Sequence, residues 1–221
     1  MALFSRIHSR ILSWSQDVPL PADERDLIPV FQSWYEFRVS TQTWSPINGT
    51  WTTGITSNTQ QRTDQSSKLV LVTWNVDSYS ALPQSRISGI ISHIRSLAEA
   101  ADFIFFQEVS RAALVSLLDD AWIRESWFSS EANLTGWKSQ SFASMTLLSR
   151  SRFGYGKESS GQATIGPVWR VQYPSRFERD ALCCDVFVPS SRTSSPDSAA
   201  ATSRIRLVNV HLDSLPIRPS H

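Results

Sequence analysis

The sequence predicts a layered α/β fold. Three apolar strands each end in polar side chains: residues 68–77 (KLVLVTWNVD), 102–108 (DFIFFQE) and 204–213 (RIRLVNVHLD). An amphipathic stretch with a helical stripe lies between the first two. Strand, helix, strand and helix then follow in order before strands take over. Polar groups at the C-terminal ends of apolar strands mark where α/β sheets bind ligands.

Taken in order, residues 1–67 read as an irregular arm and linker, and residues 68–221 as the domain. In the arm, Ser/Thr/Gln-rich stretches surround aromatic islands: Phe31, Trp34, Tyr35, Phe37, Trp44 and Trp51. The islands tether the arm to the domain rather than bind a ligand. Residues 56–67 hold no apolar side chain and read as a linker. Residues 1–16 combine Arg6 and Arg10 with several Ser and no acid, and place Leu3, Ile7, Ile11 and Trp14 at helical spacing. That pattern fits a short amphipathic helix packed on the domain. It also fits a mitochondrial transit peptide.

The run Leu69–Val72 begins a buried strand over 69–75. A helix over 86–100 follows from the stripe of Ile87, Ile90, Ile91, Ile94, Leu97 and Ala98. A second strand covers 102–107. Ser110 is placed to cap a helix over 110–120 that turns Ala113, Leu114, Leu117 and Leu118 inward. Four further strands are expected at 144–149, 168–173, 180–188 and 205–211. Residues 190–203 are Ser/Thr/Ala-rich and read as a long hairpin loop, and the tail as loop.

The bulk numbers narrow the classes. With 221 residues the chain can bury a full core. A net charge of +1 excludes a global electropositive field, so any nucleic-acid surface is a local patch. The 2 cysteines, Cys183 and Cys184, are adjacent in a strand and point to opposite faces, which excludes a disulfide framework. They read as small buried hydrophobes, and nuclear or cytoplasmic residence fits them. No run approaches the ~18 apolar residues of a membrane span. The sequons at Asn48 and Asn133 follow no apolar signal core and read as accidental.

Four places could carry chemistry. Glu108 ends an almost wholly apolar strand, where an unpaired carboxylate is costly. A hard cation such as Mg²⁺ accounts for it. So, equally, does a surface position at a helix start. Asn75 could orient a metal-bound water or donate to a phosphate, or simply make an Asn turn. His211 could contact or protonate a phosphate. A half-buried structural histidine is the commoner case. Arg176 and Arg179 could hold phosphate oxygens in their planar forks. Exposed arginines before a strand are usually only solvated.

Together the motifs say more than they do singly. TWNVD, FFQEVS, SRFERDALCCDV and LVNVHLDS, in this order and spacing, resemble the endonuclease/exonuclease/phosphatase superfamily. The TWN-D form with an Arg just before a long strand is most similar to the branch that removes 5′-linked tyrosyl adducts from DNA. The likeness covers residues 68–214. It implies a two-sheet β-sandwich flanked by helices, deoxyribonuclease I-like, in four layers. It implies Mg²⁺ or Mn²⁺ held by Glu108, with Asn75 beside the metal and the attacking water. It places His211 at the scissile phosphate and Arg179 on substrate phosphate, and gives a phosphodiester, DNA, as substrate. Asp213 stands where that branch often has Glu.

The sequence departs from the family in one respect. The later G-D-x-N and S-D-H motifs are absent from these 221 residues. The expectation is therefore an incomplete domain, inactive or nearly so. Two alternatives remain: another superfamily member (a less specific nuclease, an inositol-polyphosphate phosphatase or a sphingomyelinase), or a non-catalytic interaction protein on a degraded fold.

Overall fold

The computed structural model describes residues 28–47, 68–137, 140–155, 163–175, 179–189 and 202–212. The expectations for 1–16, 56–67 and most of 190–203, and those for Arg176 and Asp213, lie outside the described residues.

In chain order the elements are β1 (Val30–Gln32), β2 (Tyr35–Arg38), β3 (Thr43–Pro46), β4 (Leu71–Asn75), α1 (Pro83–Arg95), β5 (Phe103–Ser110), α2 (Arg111–Asp119), α3 (Ala121–Ser126), β6 (Trp127–Ser129), β7 (Phe142–Ser149), β8 (Phe153–Gly154), β9 (Ala163–Gln172), β10 (Asp180–Pro189) and β11 (Thr202–Val210). They form two sheets. One is six-stranded, in the order β3-β2-β6-β7-β5-β4; the other is β1-β9-β10-β11, with β8 paired to β9. The fold is a helix-flanked α/β sandwich of two sheets, the class the sequence predicts.

Alternation along the central strands builds the layers. In β5, Ile104 and Phe106 face the helices and join Ile87, Ile91, Leu114, Leu117 and Met145 in one core. Phe103 and Phe105 face the other way and meet Leu148, Val168, Leu182, Cys184 and Val186 between the sheets. Cys184 lies in that inter-sheet core. Cys183, paired with Trp169 and Val208, lies on the opposite face, as the adjacency of the two cysteines requires. Both are free thiols.

Several boundaries differ from expectation for local reasons. Helix α1 starts at Pro83, not 86, because proline suits the first helical turn. It ends at Arg95, where the Ser96 N–H bonds to Ser92 O and His93 O, and Leu97 falls outside it. Ser110 does cap α2, accepting from the Ala113 N–H. Helix α3, capped by Asp120, and the three-residue β6 were not expected. Such short elements hold too few residues for a period to show.

Two larger corrections concern position. The expected irregular arm is not irregular over residues 30–46. Strand β1 joins the five-stranded sheet, and β2 and β3 join the six-stranded one. Trp34 is fully buried and donates its ring N–H to Gly166 O at 3.0 Å. Trp44 donates to Leu118 O at 3.1 Å. These aromatics do tether the segment, as expected, but as part of the sheets. Gly166 is required there: a Cβ would lie 2.7 Å from Asp185 O and 2.8 Å from the Phe187 ring. The second correction is β4. It is an edge strand rather than a buried one, and Leu71 is 50% exposed.

Candidate functional site

The site begins with an irregularity in β5. Phe106 pairs with Met145 and Val109 with Ala143, so Gln107 and Glu108 together oppose Ser144 alone. This is a β-bulge. By simple alternation Glu108 would point the same way as Ile104 and Phe106, into the apolar layer under the helices. A lone carboxylate there would cost several kcal/mol, on the order of a buried unpaired charge. The bulge gives that slot to Val109, which is fully buried in the helix-facing core. Glu108 turns out instead, with φ at 53°, in the left-handed region. Short strand periodicity cannot reveal a bulge, which is why the sequence placed Glu108 simply at a strand end.

A guanidinium and an imidazole meet Glu108. The Arg179 guanidinium and the His211 Nδ1 each lie 3.5 Å from Glu108 Oε1. That is ion-pair range, longer than a good hydrogen bond. The other oxygen, Oε2, accepts from the Ser78 N–H at 3.3 Å. Arg179 sits just before β10 and also donates to the backbone oxygens of His211 and Leu212. The Tyr173 hydroxyl donates to His211 O as well. These bonds hold the chain end of β11 against the start of β10. A small pocket opens here, lined by Glu108, Gln140, Phe142, Ser144, Arg179, Asp180 and His211.

Asn75 stands slightly apart. It is in register with Gln107, one residue from Glu108. Its side-chain oxygen accepts the Asp77 N–H at 2.8 Å, the Asn turn allowed for by the sequence, and it does not line the pocket. The structure thus brings Glu108, Arg179 and His211 together and leaves Asn75 at the neighbouring strand end.

Behind the pocket lies an arginine that sequence reasoning missed. Arg170 of β9 is largely buried and bonds Glu131, Asp180 at 2.8 Å, Gln32 at 3.1 Å and Ser144 O at 2.8 Å. Burial works against its charge, but Glu131 and Asp180 more than offset this and raise its pKa above the ordinary arginine value. Through Ser144 it braces the strand opposite the bulge, and through Asp180 it anchors the neighbour of Arg179. A lone Arg inside the apolar run VWRVQY was the available signal.

The donor set bears on the implied metal. Among the described residues no group of three or more His, Cys, Asp or Glu could hold an ion. Of the two carboxylates lining the pocket, Asp180 is held by Arg170, which leaves Glu108. That fits Mg²⁺ kept largely by waters and phosphate oxygens, not a cage built by protein alone.

Fold and pocket together define a helix-flanked two-sheet α/β protein with a carboxylate–guanidinium–imidazole cluster where strands of both sheets end. Compared with known proteins, this chain matches no family model and no curated protein. Among solved structures it is similar to humanized D. rerio TDP2 carrying 14 mutations, with a TM-score of 0.40 and 23% identity over 55% of this chain and 42% of that one. The chain thus spans less than half of that structure's length. No described helix is long and apolar enough to cross a membrane.

Proposed function

We propose that this pocket is the phosphate-facing part of a phosphodiesterase site that uses Mg²⁺ or Mn²⁺. The motifs most resemble tyrosyl-DNA phosphodiesterase 2, so the proposed substrate is a 5′-tyrosyl DNA end. The observation that carries the reading is the bulge: it turns Glu108 out of an apolar layer to meet Arg179 and His211 at a pocket. Such a placement serves a ligand better than it serves packing.

Glu108 is the residue that would hold the metal. When bound, the ion would withdraw charge from a phosphoryl oxygen. Arg179 presents its planar fork to a phosphate of the substrate. His211 donates to the scissile phosphate. The Asn75 amide oxygen accepts the Asp77 N–H, and in this reading its amide nitrogen would donate to a phosphate oxygen. Without a phosphate, Arg179 compensates Glu108 and His211 lies beside it; an incoming phosphate would draw both side chains to itself.

The experiment is titration of the 221-residue chain with Mg²⁺, then with a 5′-tyrosyl oligonucleotide. Weak Mg²⁺ binding that vanishes in Glu108→Ala is expected. Oligonucleotide binding should strengthen with Mg²⁺ and fall in Arg179→Ala. Hydrolysis should be slow or absent, because these residues include neither G-D-x-N nor S-D-H. Losing one positioned acid–base group typically costs about 10²–10⁴ in rate. Micromolar Mg²⁺ binding that survives Glu108→Ala would overturn the assignment of the metal ligand. Oligonucleotide binding indifferent to both Mg²⁺ and Arg179 would leave the non-catalytic reading in its place.

A further inference from the structure

Beneath the site, a buried amide joins the two sheets. Asn209 of β11 is 1% exposed and lies two residues before His211. Its Nδ2 donates to Met145 O at 2.9 Å and to Phe106 O at 3.2 Å. Its Oδ1 accepts from Gln107 Nε2 at 2.8 Å. Gln107 Nε2 also donates to Thr73 Oγ1 at 3.1 Å. One side chain of the five-stranded sheet thus engages β5 and β7 directly, and β4 through Gln107.

The placement of these bonds matters more than their number. Phe106 and Met145 are the last register pair before the bulge opens. Asn209 donates to the backbone oxygens of both. Gln107, the other partner of Asn209, is the first residue of the bulge and the neighbour of Glu108. A buried amide lowers stability unless its groups are satisfied. An apolar residue at 209 would take this partner from the Gln107 amide and from the two backbone oxygens beside the bulge. The amide at 209 therefore has a more specific task.

We propose that Asn209 and Gln107 are a positioning pair: they hold the bulge open, so that Glu108 keeps its left-handed backbone facing His211. Neither touches substrate. Both sides of the Glu108–His211 contact depend on them, since β5 carries Glu108 and His211 directly follows β11. A non-glycine residue at positive φ is strained and persists only where its surroundings over-determine it. Burial of Val109 fixes one side of the bulge, and the Asn209–Gln107 pair fixes the other. Without the pair, residues 107 and 108 are free to leave that single conformation. This inference deepens the proposed metal site and rests on it only for its functional consequence.

The test is NMR on the whole chain without metal, comparing wild type with Asn209→Leu. The readouts are the Glu108 ¹³Cα and ¹³Cβ shifts and its HN–Hα coupling, which report a left-handed φ. Wild type should show the left-handed pattern. Asn209→Leu should lose it while the strand signals of Phe103 and Leu148 stay in place, a pattern that general destabilisation does not give. Thr146→Val serves as the control, because its contact to Asn209 is long at 3.4 Å. It should leave Glu108 unchanged. Should Asn209→Leu fail to fold, Thr73→Val decides: it removes a Gln107 partner on an exposed strand and should move the Glu108 signals part of the way. An unchanged Glu108 in Asn209→Leu, or in Thr73→Val if that variant has to decide, overturns the proposal. A Mg²⁺ titration then reads the consequence, with binding about tenfold weaker in Asn209→Leu, the scale on which outer-shell partners act. Wild type that binds no Mg²⁺ at all would remove the metal reading, while the NMR comparison would still decide the role of the pair in the bulge.

Discussion

Glu108 is subject to two opposed demands. Its carboxylate lines the pocket, while its backbone, at φ 53°, is of a kind that glycine adopts far more readily. Substitutions separate the two. Glu108→Ala and Glu108→Gly remove the same ion pairs, but only Gly relieves the backbone. Glu108→Gly should therefore be the more stable variant by about 1 kcal/mol. Urea melts of the pair measure this, and equal stability would mean that the bulge carries no strain. Cys184 shows burial acting on chemistry at the same scale. Burial pushes its thiol pKa up, and the nearby Cys183 and Asp185 add to the shift. The thiolate is the reactive form, so Cys184 should resist alkylation in the native chain and react on unfolding. Mass spectrometry after brief iodoacetamide treatment reads this directly.

Among the elements, the three strands between residues 30 and 46 matter most for where the domain begins. Trp34 and Ile47 are buried in the inter-sheet core, and Glu36 accepts from the Tyr155 hydroxyl at 2.9 Å. A chain that starts at residue 68 removes those side chains and exposes the strands they cover. Deleting one large buried aromatic alone costs about 3–5 kcal/mol, comparable to the whole stability of many domains. Such a chain should bind ANS and melt without cooperativity, while one starting at residue 28 should keep a sharp transition. Cooperative melting by the shorter chain would restore the division at 68. These strands were hard to read because each is three or four residues long, and their partners lie far along the chain. The aromatic islands were visible, but nothing local says which sheet each joins.

At the scale of the whole molecule, helices cover one face of the six-stranded sheet, and the five-stranded sheet covers the other. The outer face of the five-stranded sheet carries exposed Phe31 and Val208, and the β4 edge exposes Leu71. An open edge with an apolar side chain is a template for pairing with other chains. Leu71→Lys should therefore slow aggregation on storage, followed by light scattering. It should change stability little, within about 0.5 kcal/mol as for most surface positions. Unaltered aggregation would move the cause elsewhere, with the Phe31 face next to be tested.

The order of the long elements from 68 onward was legible in the residues alone. So were the inward face of α2, the cap at Ser110 and the opposite facing of the two cysteines; Glu108, Arg179 and His211 were singled out by their places beside strands. All of these follow from periods of 2 or 3.6 and from polar groups at strand ends, which are local quantities. Folding in three dimensions made β4 an edge. It also brought residues 30–46 in to complete both sheets, and set Arg170 and Asn209 to brace the pocket from behind. The orientation of Glu108 belongs with these. Plain alternation would bury its carboxylate among Ile104 and Phe106. It faces Arg179 and His211 only because a bulge opposite Ser144 shifts the alternation by one residue, and the partners that hold that bulge lie on strands distant in sequence.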